Sequence, residues 1–131
     1  MKRIVEAELE EWKNKKRRKP LVIQGARQVG KTYTIQKFAR ENFKSVHYFA
    51  LEALKADLAP VFNESSLKAE DLVKQLSFFT GNSIDFQDDV LVFDEIQAIP
   101  RALTALKYFN QEIPELAVCV AGSNLGIAMA A

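Results

Sequence analysis

The sequence contains very little cysteine and histidine. Cys119 is the only cysteine and His47 the only histidine among 131 residues. A single cysteine cannot form an internal disulfide, and the apolar run LAVCVAG around Cys119 predicts a small buried side chain. His47 stands in SVHYF without a second His or Cys near it. We therefore expect a hydrogen-bonded structural histidine and not a metal ligand.

Long apolar runs are also missing. Every apolar stretch is broken within about ten residues, whereas a membrane-spanning helix needs about 20. The opening MKRIVEAELEEW carries acids where a signal peptide would carry an apolar region. These features predict a globular cytoplasmic protein that makes no membrane contact. The length suits one domain covering residues 1–131, large enough to bury a core.

Positive charge is concentrated at the start of the chain. Residues 1–44 hold 13 of the 18 Lys and Arg and 5 of the 17 acids. Most of this excess comes from KNKKRRK, Lys13 to Lys19, directly before Pro20. Such a run can contact nucleic acid, or it can be a solvated helix end, where cations suit the helix dipole. We favour the helix end, because no aromatic residues are interleaved to stack on bases.

Short apolar segments alternate with segments of helical periodicity. The pattern predicts strands in PLVIQGA, SVHYFAL (45–51), VLVF (90–93) and LAVCVA, and helices over 2–17, from Thr32 to about Asn42, near ALKADLAPVF, in KAEDLVKQLSFFTG up to Gly81, and in PRALTALKYFNQEI. Continuously apolar strands joined by helices are typical of a parallel sheet covered on both faces. We predict a three-layer α/β domain with a mainly parallel sheet of about four strands.

A phosphate-binding motif lies between the first predicted strand and the following helix. GARQVGKT, Gly25 to Thr32, matches G-x-x-x-x-G-K-[ST], in which inward-pointing backbone N–H groups and a helix N-terminus hold phosphates. Lys31 would reach the β- and γ-phosphates, and the Thr32 hydroxyl would bind Mg²⁺. The predicted nucleotide-binding residues are Gly25, Ala26, Arg27, Gln28, Val29, Gly30, Lys31, Thr32 and Tyr33, with no catalytic role for Arg27 or Gln28.

Two carboxylates follow the third predicted strand in VLVFDE. In an open α/β sheet this is the edge where ligands bind. Asp94 would complete the Mg²⁺ site with Thr32, because Mg²⁺ takes few protein carboxylates. Glu95 would orient and deprotonate an attacking water. Small-molecule kinases need no such base, so the pair favours ATP hydrolysis.

The fourth predicted strand ends in AGSN. Ser123 or Asn124 would present a polar group to the γ-phosphate and the attacking water, although Ser-Asn is also ordinary turn chemistry. The catalytic candidates are thus Glu95, Lys31, Ser123 and Asn124. We expect Arg101, which follows Pro100 at the start of a helix, to be a surface or capping residue.

Three strings, RKPLVIQGARQVGKT, VLVFDEIQAIPRALTALKYF and AGSNLGIAM, together carry a family resemblance. They resemble the N-terminal ATPase core of bacterial and archaeal AAA-type P-loop ATPases that carry an uncharacterised C-terminal domain. The resemblance implies ATP and Mg²⁺ as ligands, with the site residues named above, and a sheet of the additional-strand type in the order 5-1-4-3-2.

The chain departs from those relatives at its end, where strand five, the lid and the C-terminal domain have no counterpart. We hypothesise a truncated core with weak or absent hydrolysis. Its first strand would form an apolar sheet edge prone to self-association. The alternative reading is a nucleotide-binding interaction module that contacts nucleic acid through Lys13 to Lys19.

Overall fold

The computed structural model of the protein describes residues 21–24, 29–63 and 68–122. The helix expected over 2–17 lies outside these ranges. The strands are β1 (Leu21–Gln24), β2 (Ser45–Ala50), β3 (Asp89–Asp94) and β4 (Ala117–Gly122). The helices are α1 (Val29–Asn42), α2 (Lys55–Phe62), α3 (Ala69–Thr80) and α4 (Pro100–Glu112), with a 3₁₀ helix over Ile96–Ala98.

One helix start and one short element differ most from the sequence expectation. Helix α1 begins at Val29 and not at Thr32. The first turn of a helix needs no intrahelical partner for its N–H groups, so residues of a phosphate motif can take helical angles there. The 3₁₀ helix was not predicted, because three residues are too few to show a periodic pattern.

The strands form one sheet in the order β1-β4-β3-β2, with every pair parallel. Ala50 pairs with Asp94 and Gln24 with Gly122, so the carboxyl ends of all the strands meet at one edge. The predicted α/β class with parallel strands is confirmed.

Helices cover both faces of the sheet. Side chains along a strand alternate between faces, and the buried residues divide accordingly. Val90 and Val92 pack against α1 through Ile35 and Phe38. On the other face the core contains side chains from α2, α3 and α4, with strand residues that include Leu91, Phe93, Val118 and Val120. None of the described helices is both long enough and apolar enough to span a bilayer.

Phe93 lies at the centre of an aromatic cluster in this second core. Its ring stacks on Phe49 with centroids 5.5 Å apart, meets Phe62 edge-on at 5.9 Å and lies 6.3 Å from Phe109. These partners come from β2, α2 and α4. One strand residue therefore joins the sheet to two of its covering helices.

At the amino end of β3, a buried hydrogen-bonded pair joins β2 to β3. His47 Nε2 lies 2.9 Å from Asp89 Oδ2, and the backbone N–H of Asp85 donates to the same oxygen at 2.9 Å. Both side chains are buried. The prediction of a structural, hydrogen-bonded histidine is confirmed.

The structure also agrees with the expectations for Cys119, Gly81 and Arg101. Cys119 is buried, and burial raises the pKa of its thiol to about 12, with the charge of Asp94 adding to the effect. Helix α3 ends at Gly81, which takes the left-handed conformation with φ 77°. Arg101 Nε donates to the carbonyl oxygen of Phe62 at 3.3 Å and so caps the end of α2.

Replacing Phe93 with alanine should lower the free energy of unfolding by about 3–5 kcal/mol, because the change removes a ring packed against three others. Urea denaturation followed by circular dichroism measures this loss. Phe78→Ala is the matched control, since Phe78 is 92% exposed, and should change stability by no more than about 0.5 kcal/mol. Equal losses in the two variants would contradict the assignment of Phe93 to the core.

Candidate functional site

The candidate site lies where β3 ends. Asp94 is its last residue, pairs with Ala50 of β2 and is 8% exposed. Glu95 follows it and is half-buried. The structure therefore brings the two predicted carboxylates to the carboxyl edge of the sheet, where open α/β folds bind ligands.

Both oxygens of the Asp94 carboxylate accept hydrogen bonds. The Tyr48 hydroxyl, from the neighbouring strand β2, donates to Oδ2 at 2.5 Å. The backbone N–H of Glu95 donates to Oδ1 at 3.0 Å. The Tyr48 bond is short, as expected for a charge-assisted bond from a hydroxyl to a carboxylate. The orientation of the Asp94 carboxylate is thus set by strand β2, through Tyr48, and by the turn that begins at Glu95.

Tyr48 is correspondingly hard to ionise. Burial raises the pKa of its hydroxyl above the usual value, and the hydrogen bond to Asp94 and the charge of Asp94 raise it further, while a hydrogen bond from Gln36 of α1 opposes the shift. The hydroxyl is therefore a permanent donor to Asp94 at neutral pH.

Helix α1 packs beside the carboxyl edge of the sheet. A small apolar gap next to Asp94, too narrow to admit a water molecule, is lined by Ile35 of α1 together with Tyr48, Val92 and Ala121. The backbone of Gly30, Lys31 and Thr32 forms the beginning of the same helix, and Thr32 precedes Ile35 by less than one helical turn. The start of α1 and the Asp94 carboxylate therefore belong to one end of the molecule.

Glu95 has an unusual backbone conformation. Its φ of 51° and ψ of 52° lie in the left-handed region, and among the described residues it is the only non-glycine with a positive φ. This turn ends β3 and starts the 3₁₀ helix, whose residue Gln97 donates from Nε2 to Glu95 Oε2 at 2.5 Å. Strained backbone angles of this kind are concentrated at functional sites.

Several predicted site residues lie outside the described ranges: Gly25, Ala26, Arg27, Gln28, Ser123, Asn124 and the basic run Lys13 to Lys19. Gly25 follows Gln24 in the chain, and Ser123 follows Gly122. Because Gln24 pairs with Gly122, the last described residues before these two segments are neighbours at the edge that holds Asp94. Tyr33, by contrast, is described and is 55% exposed.

The donor set at this edge suits a magnesium ion held by few protein atoms. Within the part of the chain that the structure describes, no three His, Cys, Asp or Glu side chains gather as metal ligands. Mg²⁺ prefers oxygen, keeps most of its water and takes one or two carboxylates besides phosphate oxygens. A single oriented carboxylate such as Asp94 fits that requirement.

Sequence reasoning missed Tyr48, Gln36 and Gln97. Tyr48 lies 46 residues before Asp94 in the chain, and only the order of the strands makes them neighbours. Gln97 belongs to the string DEIQ, but its contact with Glu95 depends on a single left-handed residue. A polar residue two positions after a strand-end carboxylate is the one signal that could have pointed to it.

Replacing Tyr48 with phenylalanine should remove one tyrosine ionisation from the native protein, and that ionisation should occur above the usual pH of about 10. The pKa of Tyr48 is higher in the folded protein than in the unfolded chain. Its contribution to stability is therefore complete at a pH below the pKa of the unfolded state, and it is lost as the pH rises through the pKa of the folded state. Phenolate absorbance at high pH, in native and denatured protein, measures the step. A Tyr48 step at the same pH in both states would contradict the contact with Asp94.

Comparison with known proteins gives one family. No curated protein and no solved structure matches the chain. A family model described as an AAA domain matches residues 17–131, which include the phosphate motif, the whole described sheet and the carboxylates Asp94 and Glu95. Membership supports a nucleotide-binding, ATPase-like function in general. This match covers most of the chain, and it shows that the chain belongs to the AAA domain family.

Proposed function

We propose that this protein binds ATP and hydrolyses it with the help of Mg²⁺. The observation that carries the proposal is the Asp94 carboxylate, oriented by Tyr48 at the carboxyl edge of the sheet beside the helix that begins with Val29-Gly30-Lys31-Thr32. Phosphate loop, helix start and strand-end carboxylate are the parts that P-loop enzymes use to bind and cleave a nucleoside triphosphate.

The phosphates would be held by the loop and the start of α1. Residues Gly25 to Tyr33 supply backbone N–H groups and the positive end of the helix dipole. The Lys31 ammonium would neutralise the β- and γ-phosphates. No acidic side chain lies in the first turn of α1, so nothing in that turn opposes the approach of an anion.

Thr32 and Asp94 would hold the magnesium ion. When bound, the ion supplies positive charge that stabilises the phosphate oxygens during cleavage. Asp94 would act through coordinated water, consistent with the two hydrogen bonds that its oxygens already accept. Tyr48 holds the carboxylate in a fixed orientation.

Glu95 would act as the base. A water oxygen attacks the γ-phosphorus while one water proton passes to the Glu95 carboxylate, and the bond from that phosphorus to the bridging oxygen breaks with its electrons on ADP. Glu95 then releases the proton, and the products are ADP and inorganic phosphate. Ser123 or Asn124 would contact the γ-phosphate and help to orient the water.

We expect the protein to bind ATP but to hydrolyse it slowly. An arginine supplied by a partner can accelerate phosphoryl transfer by about 10³ to 10⁵, and Arg101 is engaged with Phe62. We also propose self-association through β1, which among the described strands pairs with β4 alone. Contact with nucleic acid through Lys13 to Lys19 stays a prediction.

Replacing Lys31 with alanine should abolish the rise in melting temperature that Mg²⁺-ATP causes, because the change removes the positive charge at the β- and γ-phosphates. Thermal denaturation with and without nucleotide measures the effect. Lys37→Ala, an exposed lysine of the same helix, should keep the full rise. The proposal is contradicted if Mg²⁺-ATP raises the melting temperature of Lys31→Ala as much as that of the unsubstituted protein.

Replacing Glu95 with glutamine should leave the affinity for Mg²⁺-ATP unchanged and lower the rate of phosphate release by about 10² to 10⁴, since the amide cannot accept the water proton. Glu41→Gln, at an exposed carboxylate near the end of α1, should keep the original rate. Unchanged turnover in Glu95→Gln would remove Glu95 from the role of base.

A further inference from the structure

The backbone at Glu95 is held in place from both sides. Tyr48 and the Glu95 N–H position Asp94 on one side. On the other, Ile96 is fully buried, and the N–H of Ala98 donates to the carbonyl oxygen of Glu95 at 3.0 Å. A non-glycine residue in the left-handed region is energetically unfavourable. The surrounding contacts are what keep Glu95 there.

Gln97 uses this turn to reach the Glu95 carboxylate. Its amide Nε2 lies 2.5 Å from Glu95 Oε2. The opposite orientation of the amide would put two oxygen acceptors against each other, so the N–H group must face the carboxylate. The amide direction is therefore determined by Glu95.

The other end of the same amide meets no donor in the part of the chain that the structure describes. Gln97 Oε1 is buried and has no hydrogen-bond partner among the described residues. A buried acceptor without a partner is costly. An apolar side chain of the same length would avoid that cost but would give up the hydrogen bond to Glu95 Oε2. The contact with Glu95 is the interaction that distinguishes Gln97 from such a side chain.

We propose that Gln97 is a positioning residue that orients the Glu95 carboxylate for proton transfer, an inference that rests on the proposed ATPase function. Holding Oε2 fixes the direction in which the carboxylate meets the attacking water. Small displacements of a catalytic group, of about 1 Å, can lower a rate by about 10². Gln97 has no direct part in binding the nucleotide.

The test compares Gln97→Met with Glu95→Gln. Methionine keeps the length of the side chain but cannot donate. Gln97→Met should lower kcat for ATP by about 10- to 100-fold, leave the affinity for Mg²⁺-ATP within about twofold and keep or raise the melting temperature. Gln111→Met, at an exposed position of α4, is the matched control and should keep the original kcat. A loss of melting temperature in proportion to activity would indicate a purely structural role and overturn the inference.

A double variant shows whether Gln97 acts through Glu95. If it does, adding Gln97→Met to Glu95→Gln should change kcat by less than about twofold, because the group to be positioned is already disabled. If the two residues acted independently, the fold-losses in kcat of the two single variants would multiply in the double variant, and that result would contradict the inference.

A measurement without turnover completes the test. We expect the unsubstituted protein to bind Mg²⁺-ADP with aluminium fluoride, a mimic of the transition state, more tightly than with beryllium fluoride, a mimic of the bound γ-phosphate. Gln97→Met should lose at least about tenfold of that preference and keep its affinity for the beryllium complex. An unchanged preference overturns the role of Gln97 alone. Absence of the preference in the unsubstituted protein contradicts the proposed hydrolysis, and the inference with it.

Discussion

The burial of β3 on both faces is the constraint on which the site depends. Every residue of β3 is buried, and the strand pairs with β2 on one side and β4 on the other. A slip of one residue would exchange the two faces of the strand. It would remove Phe93 from the aromatic cluster and Asp94 from Tyr48 together. The position of the candidate site is therefore a consequence of how the core packs.

The two ends of β3 carry buried carboxylates with different surroundings. Asp89 is hydrogen-bonded to the His47 side chain and to the backbone N–H of Asp85. The contact with His47 joins β2 to β3. Asp94 also has a partner on β2, yet it stands at the edge where ligands bind and is followed by the strained turn at Glu95. Buried carboxylates need hydrogen-bond donors, and β2 supplies one at each end. Only the second end is placed to act on a ligand.

The main parts of the fold and the first residues of the site were predictable from local sequence signals. Apolar runs indicated the strands, Gly81 indicated the end of a helix, and the acids after VLVF indicated the edge that holds Asp94 and Glu95. The start of α1 was placed too late, because first-turn residues carry no periodic pattern. Tyr48 and Gln97 escaped prediction since their contacts depend on strand order and on one backbone angle, neither of which can be seen in a short window of sequence.

The central claim is that a metal-bound nucleotide sits at the carboxyl edge of the sheet, beside Asp94. Nuclear magnetic resonance with Mn²⁺-ATP in place of Mg²⁺-ATP tests it most directly, because a paramagnetic ion broadens the signals of nearby nuclei most strongly. The two ends of β3 lie roughly 17 Å apart. We predict that the amide signals of Gly30, Asp94 and Glu95 broaden first while those of His47 and Asp89 stay sharp. Broadening centred on Asp89, or none at all, would contradict the account.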